Sequence, residues 1–358
     1  MFTLPTLPAL WLSLLSLAVG GVGAALGYVV NLPLYMLTGP AVLVSVLSLC
    51  GLRLGIAPFL RDIAFLFIGI GIGAGVNAEA AAAMLRWPLA FVALAMMLVV
   101  AMVLCRALLI RVFGFDRRSA VLASAPGHLS FVIALGETYG VNLTRVTVAQ
   151  SVRVLLLTLT VPAIAALMGL DMSQGLAPQG SVLGLGHIAV LVVLAILAGW
   201  LLEKLRVPAP LLIGAMLVSG AGHLSDLAPG VLEPKVTMAC LVAMGTLIGS
   251  RFSGTSPAMM FRYAGGGVAI TALTTVLAIS FAVPVSMLLE MPLPHVLVAF
   301  APGGLETMIV MGAVLGANPG FVAACHVGRL LVLSVLIPIM AARAGEPVLT
   351  ASDMRDDV

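Results

Sequence analysis

The sequence predicts an all-α membrane protein of about ten transmembrane helices plus two interrupted or re-entrant elements, arranged as two inverted repeats. Three observations predict it. The 358-residue chain is 62% hydrophobic and 9% charged, where soluble domains carry about 25% charged residues. Apolar runs of about 20 residues recur, the length that spans about 30 Å of hydrocarbon as a helix, without the short alternating strands of a membrane β-barrel. Finally, one stretch occurs twice. APGHLSFVIALGETYGVNLTRVTVAQSVRVLLLTLTVP (125–162) aligns without a gap on APGGLETMIVMGAVLGANPGFVAACHVGRLLVLSVLIP (301–338). Pro126/Pro302, Gly127/Gly303, Asn142/Asn318, Arg153/Arg329 and Pro162/Pro338 all coincide, 176 residues apart.

Taken in order, the first half has apolar stretches at roughly 11–30, 33–51, 60–78, 88–112, 119–138 and 143–168. The second has them at roughly 183–202, 208–225, 235–251, 263–289, 294–316 and 319–342. Residues 1–168 therefore form a first membrane repeat, 169–182 a polar linker, 183–342 a second repeat, and 343–358 a short cytoplasmic tail with Asp353, Asp356 and Asp357. The run from Trp11 lacks a basic leader and a cleavage site, so it reads as the first membrane helix and not a removed signal. Pro33 and Gly39 match Pro208 and Gly214. Gly71 and Gly75 are paired with Gly245 and Gly249, a four-residue spacing that lets helices approach closely.

Charge sets the expected topology. The net charge is +3, but the basic residues are spread over short loops, which points to positive-inside placement and not to nucleic acid. With the N-terminus cytoplasmic, Arg53, Arg61, Arg106, Arg111, Arg117 and Arg118 fall inside and Arg86 outside. The linker at 169–182 has no Lys or Arg and is best placed outside, which requires that the fifth stretch not make a full crossing. Lys204, Arg206, Arg251, Arg262 and Arg343 then fall inside, and His223, Asp226, Glu233, Lys235 and Glu290 outside. Five crossings plus one broken element per half make the repeats inverted, a common design of secondary transporters. The expected location is the bacterial inner (plasma) membrane, multi-pass, with both termini cytoplasmic.

The repeated stretch carries the candidate site. Ala-Pro-Gly inside an apolar run predicts a helix interruption at Pro126–Gly127 and again at Pro302–Gly303. Irregular backbone at membrane depth is tolerated only where protein buries it or where it lines a watery cavity. Half-helix ends there offer amides and carbonyls to a small ion or solute. Arg153 and Arg329 lie inside apolar helices and must face the bundle interior, because a charge in the bilayer costs at least a few kcal/mol. They either hold an anionic solute through the guanidinium fork, or cap carbonyls of the broken helices, or pair with Glu306. Gln150 and His326 sit one turn earlier on the same faces. Glu306, whose repeat mate is Ser130, could exchange a proton or ligate Na⁺, or pair permanently with Arg329. His128 and His326 lack metal-ligand spacing and read as hydrogen-bonded polar groups. Asn142 and Asn318 read first as stabilising a turn and second as lining a cavity mouth.

The candidate substrate-binding set is thus Arg153, Arg329, Glu306, Ser130, His128, Gln150, His326, Asn142 and Asn318, with no catalytic residues, no metal and no cofactor. No GxSxG, Walker A or HExxH motif occurs. GIGIGAG at Gly69–Gly75 lacks the preceding strand of a nucleotide loop. Cys50, Cys105, Cys240 and Cys325 read as small apolar residues without CxxC spacing.

The duplicated core, together with LPLYMLTGP and VPAPLLIGAML upstream, resembles the AbrB family of bacterial membrane proteins over about residues 10–342. The resemblance implies a distant likeness to the cation:proton antiporter/anion transporter superfamily, with inverted repeats and crossed broken helices. Some members carry names for gene regulation or ammonia oxidation. This sequence has neither a soluble DNA-binding segment nor a metal-ligand cluster. It departs from the family's PGG…E pattern at His128 and Ser130, which argues against two equivalent carboxylates. The expectation is a secondary transporter or permease for a small polar or anionic solute, coupled to a proton or Na⁺. A membrane-embedded regulator or sensor is the alternative. The expected partners are the lipid bilayer and that solute, with room for a homodimer and no nucleic acid.

Overall fold

A computed structural model describes residues 5–75, 87–127, 129–167, 169, 181–228 and 230–344. The side chains of residues 129, 130 and 134 lie outside that description. Among the described residues there are fourteen α-helices. The first seven are α1 (Leu7–Val29), α2 (Tyr35–Leu49), α3 (Pro58–Gly73), α4 (Trp87–Phe113), α5 (Arg117–Ser124), α6 (Leu129–Tyr139) and α7 (Leu143–Leu167). The second seven follow in the same order: α8 (Leu185–Lys204), α9 (Pro210–Leu224), α10 (Pro234–Gly249), α11 (Pro257–Leu289), α12 (Leu293–Phe300), α13 (Leu305–Val314) and α14 (Pro319–Ala342). A 3-10 turn, Ser250–Phe252, extends α10.

Seven of these helices are long and apolar enough to cross a membrane: α1, α4, α7, α8, α10 with its 3-10 turn, α11 and α14. The chain is therefore an all-helical, multi-pass membrane protein. The helices α2 and α9 have 15 residues each, about 22 Å of rise at 1.5 Å per residue, and so fall short of a full hydrocarbon width.

The duplication reaches the backbone dihedrals. Among the described residues, ten of the fourteen with positive φ fall in matched pairs: Asn31 and Arg206, Leu34 and Ala209, Gly51 and Asp226, Gly114 and Glu290, Gly140 and Gly316. Only the last pair is glycine in both copies. The other turns keep their shape although a side chain has to tolerate it, which a shared ancestral backbone explains and local preference does not.

The two repeats interleave. α1, α2 and α3 pack with α8, α9 and α10 as one group, and α4–α7 pack with α11–α14 as a second. Glycines bring the first group close. A Cβ at Gly39 would lie 2.3 Å from the Gly23 carbonyl oxygen on α1, and one at its repeat mate Gly214 would lie 2.7 Å from the Gly199 nitrogen on α8. On α3 the glycines in contact are Gly69 and Gly73. Their Cβ positions would meet the Leu212 and Met216 carbonyls of α9 at 2.4 and 2.5 Å. On α10, Gly245 and Gly249 meet α2 in the same way. This corrects the pairing of Gly71 and Gly75 with Gly245 and Gly249. A two-residue shift turns a helix by about 200°, and Gly71 instead faces Leu232 at 3.6 Å.

These contacts also give helix directions. Gly69 sits by Leu212 and Gly73 by Met216, so α3 and α9 run parallel; Gly245 sits by Leu37 and Gly249 by Val44, so α10 and α2 do too. α1 and α2 are antiparallel, since Gly23 lies by Pro40 and Gly27 by Tyr35. The amides of Gly55 and Ala57, just before α3, donate to Ser16 and Ser13 near the start of α1 at 2.9 and 2.8 Å.

Candidate functional site

Each repeat contains a short helix, a gap and a second short helix where one apolar run stood in the sequence. In the first, α5 stops at Ser124 and α6 begins at Leu129; in the second, α12 stops at Phe300 and α13 begins at Leu305. Proline and glycine supply the gaps, as their missing donor and missing Cβ require. Gly127 has φ +89. A Cβ there would lie 2.6 Å from Arg329 Nη2 and 3.1 Å from the Gly303 carbonyl oxygen. The two gaps therefore touch each other.

Breaking a helix inside a dry bundle orphans its last carbonyls, and the following long helix supplies their donors. Arg329 Nη1 donates to the Ala301 carbonyl at 2.8 Å and Nη2 to the Gly303 carbonyl at 2.7 Å. Arg153 Nη2 donates to the Ala125 carbonyl at 3.1 Å and to Gln150 Oε1 at 2.5 Å. Gln150 Nε2 donates to the Leu122 and Ala125 carbonyls, both at 2.9 Å. His326 Nε2 donates to the Val298 carbonyl at 3.2 Å, which makes it the protonated nitrogen of that ring. Leu122 and Ala125 are the repeat mates of Val298 and Ala301. The same two carbonyls are therefore held in both copies, by Gln–Arg in one and His–Arg in the other. Hydrogen bonds to a charged group contribute about 1.5–3 kcal/mol each, enough to offset much of the cost of burying a guanidinium. Arg153 Nε and Nη1 and Arg329 Nε find no partner among the described residues.

Asn142 Oδ1 accepts from the Arg145 amide at 3.0 Å, and Asn318 Oδ1 from the Gly320 and Phe321 amides at 2.9 and 3.2 Å. Both asparagines thus cap the long helix that follows each break. His128 lies outside the described residues, as does the side chain of Ser130.

Glu306 stands in the first turn of α13, directly after the second gap. Among the described residues no ion pair joins it to Arg329. It lines a cavity of about 410 Å³ together with Thr307 from α13, Arg61 and Asp62 from α3, Glu203 from α8, and Arg251 from the 3-10 turn after α10. Phe65, Pro210, Met244 and Ile248 supply apolar wall. Arg61 is closed onto Asp62, with Nε and Nη2 at 2.9 and 2.7 Å from Oδ1. Arg251 and Glu306 lie within electrostatic reach of each other. The cavity sits where the two helix groups meet, with α3, α8, α9 and α10 on one side and α13 on the other. Of the sequence candidates among the described residues, only Glu306 lines it. Arg153, Arg329, Gln150 and His326 hold the carbonyls at the breaks, Asn142 and Asn318 lie one short helix away, and none of the six reaches this wall. A narrower apolar cleft of about 80 Å³ touches Ala301 and Pro302.

Sequence reasoning placed Arg61 and Arg251 on one membrane side but saw them only as loop charges. Asp62 was the available signal: an acidic residue at the start of an apolar run. Its mate 176 residues on is Met238, and that of Arg61 is Thr237, so comparing the repeats drew attention away from both. Among the described residues no group of three or more His, Cys, Asp or Glu could hold a metal ion.

The sequence model of a family described as AbrB, "Transition state regulatory protein AbrB", matches residues 36–344. An uncharacterized protein, YhjN of Bacillus subtilis (strain 168), is 29% identical over 247 residues, which cover 62% of this chain. The chain spans about 62% of that curated relative's length. No solved structure matches.

Proposed function

The chain belongs to the AbrB family, and on that premise we propose that it is a secondary transporter or permease of the bacterial inner membrane for a small polar solute. The solute site is the cavity at Glu306, beside the second broken helix. One observation carries this reading: the two breaks touch, and a charged cavity at the seam between the two helix groups reaches the end of one of them. Broken helices at membrane depth that border a cavity are how transporters expose backbone groups to solutes. A seam between two groups of helices is where a rocking motion would open and close such a site.

Inversion of the repeats is supported by the helix directions. Because α3 starts beside the beginning of α1, it runs opposite to α2. α9, the repeat mate of α2, lies parallel to α3, and α10, the mate of α3, lies parallel to α2. Each mate therefore runs against its counterpart. A count of ten crossings follows if α2, α3 and α9 span with local thinning of the bilayer. The charge scheme puts Arg61, Lys204 and Arg251 on the cytoplasmic side, so the cavity opens inward. The Glu306 carboxylate is the group suited to proton or Na⁺ coupling.

The family's description as a transition state regulatory protein favours a second reading, a membrane-embedded sensor that binds the solute without moving it. Purified protein in sealed vesicles separates the two. Saturable solute accumulation that collapses in Glu306→Gln supports transport. Saturable binding without flux refutes transport and supports the sensor.

A further inference from the structure

We infer that the solute taken by this cavity is a small zwitterion of the α-amino acid class, its carboxylate at Arg251 and its ammonium at Glu306. This rests on the proposed site and adds the chemistry of its ligand.

The cavity holds two different arrangements of charge. Arg61 and Asp62 are closed onto each other at 2.7 Å and satisfy one another. Glu203 also has a partner of its own. Arg251 and Glu306 differ. They face the same space and feel each other's charge, yet among the described residues they form no ion pair within 4.0 Å. Neither makes a hydrogen bond among the described residues, and no polar atom of either side chain is sealed from the cavity without a partner. Opposite charges that share a cavity normally collapse into contact. Held apart by separate elements, the 3-10 turn after α10 and the first turn of α13, they leave a dipolar gap.

Charge balance then selects the ligand. The lining carries two arginines, Arg61 and Arg251, against three carboxylates, Asp62, Glu203 and Glu306. A simple anion is drawn to Arg251 but repelled by Glu306. A simple cation meets the reverse. A zwitterion satisfies both and leaves the balance unchanged. Thr307, beside Glu306 in the first turn of α13, adds a hydroxyl to the same wall. The volume suits a small solute. About 410 Å³ corresponds to on the order of a dozen waters at about 30 Å³ each, which is room for one amino acid with part of its hydration.

The test is equilibrium binding to the full chain in lipid nanodiscs. The probes are the proteinogenic α-amino acids, each set against its decarboxylated amine and its deaminated acid. At least one amino acid is expected to bind, with both truncated partners at least about tenfold weaker. Glu306→Gln and Arg251→Gln should each weaken the amino acid at least about tenfold, while Arg251→Lys, which keeps the charge, should restore part of the loss. Thermal unfolding without ligand checks that each variant is folded. The inference is overturned if no amino acid binds, if a deaminated acid binds as well as its parent, or if both charge-removing variants leave affinity unchanged. Vesicle flux keeps the two proposals apart. Amino-acid binding without flux refutes transport alone. Flux of a simple anion that is lost in Glu306→Gln, with no binding of any amino acid, refutes this inference alone.

Discussion

Replacing Gly127 by alanine probes the contact between the two broken helices. Gly127 has φ +89, where a Cβ is disfavoured by about 1–2 kcal/mol. The added atom would also fall 2.6 Å from Arg329 Nη2, 3.1 Å from Cζ and 3.1 Å from the Gly303 carbonyl oxygen. That guanidinium is fixed by two hydrogen bonds at 2.8 and 2.7 Å, so it cannot yield without giving up a carbonyl. Forcing an atom into filled space costs about 1–3 kcal/mol, and Gly127→Ala should therefore destabilise by about 3 kcal/mol or more. Two controls isolate the terms. Gly114 has φ +62 with nothing within 4 Å of its Cβ position, and its mate Glu290 already carries a side chain at φ 54; Gly114→Ala should cost only about 1 kcal/mol. Gly303→Ala would press on the Met308 side chain at 2.6–2.9 Å, which can turn aside, for about 1 kcal/mol. An SDS-unfolding titration in bicelles measures all three. If Gly127→Ala is no worse than Gly114→Ala, the two breaks do not touch and the proposed site loses its basis.

Arg329→Lys keeps the charge but cannot reach both carbonyls, and should lose about 1.5–3 kcal/mol; Gln150→Leu, which abandons two carbonyls and Arg153, should lose at least as much. Equal stability to wild type in the same titration would mean that these carbonyls are satisfied some other way. Gly39→Ala, whose Cβ would sit 2.3 Å from backbone on α1, should cost about 3 kcal/mol, whereas Gly21→Ala, with open space around it, should stay within about 0.5 kcal/mol. Of the four cysteines, Cys50 is exposed and Cys105, Cys240 and Cys325 are buried. A membrane-impermeant maleimide should therefore modify Cys50 alone in folded protein, and only from the cytoplasmic side if the charge-derived topology holds.

Much of the fold was legible because membranes impose simple rules. Composition alone set the class, and the 176-residue duplication located both breaks, since Pro126 and Pro302 interrupt apolar runs that have no other reason to stop. Helix lengths were less legible: α2, α3 and α9 sit in longer apolar stretches, and turns such as Leu34 and Ala209 carry no glycine to mark them. The glycine register on α3 was misread because alternating Gly and Ile from Gly69 to Gly75 allow several four-residue pairings. The cavity was hidden for another reason. Arg61, Asp62, Glu203, Arg251 and Glu306 come from five separate segments, and each basic member already had a sufficient explanation in the positive-inside pattern. Nothing local marks charges that converge only through packing.

Hydrogen–deuterium exchange over residues 301–314, followed by mass spectrometry on the protein in nanodiscs, tests most directly whether the backbone opens onto a watery cavity inside the bundle. The first-turn amides of α13 have no intrahelical acceptor and border the cavity at Glu306 and Thr307. They should exchange rapidly while the peptide from the middle of α14 stays protected, and a bound solute should slow them. Protection over 301–307 as complete as in α14 would mean that this stretch is sealed or continuous helix, and would contradict the account.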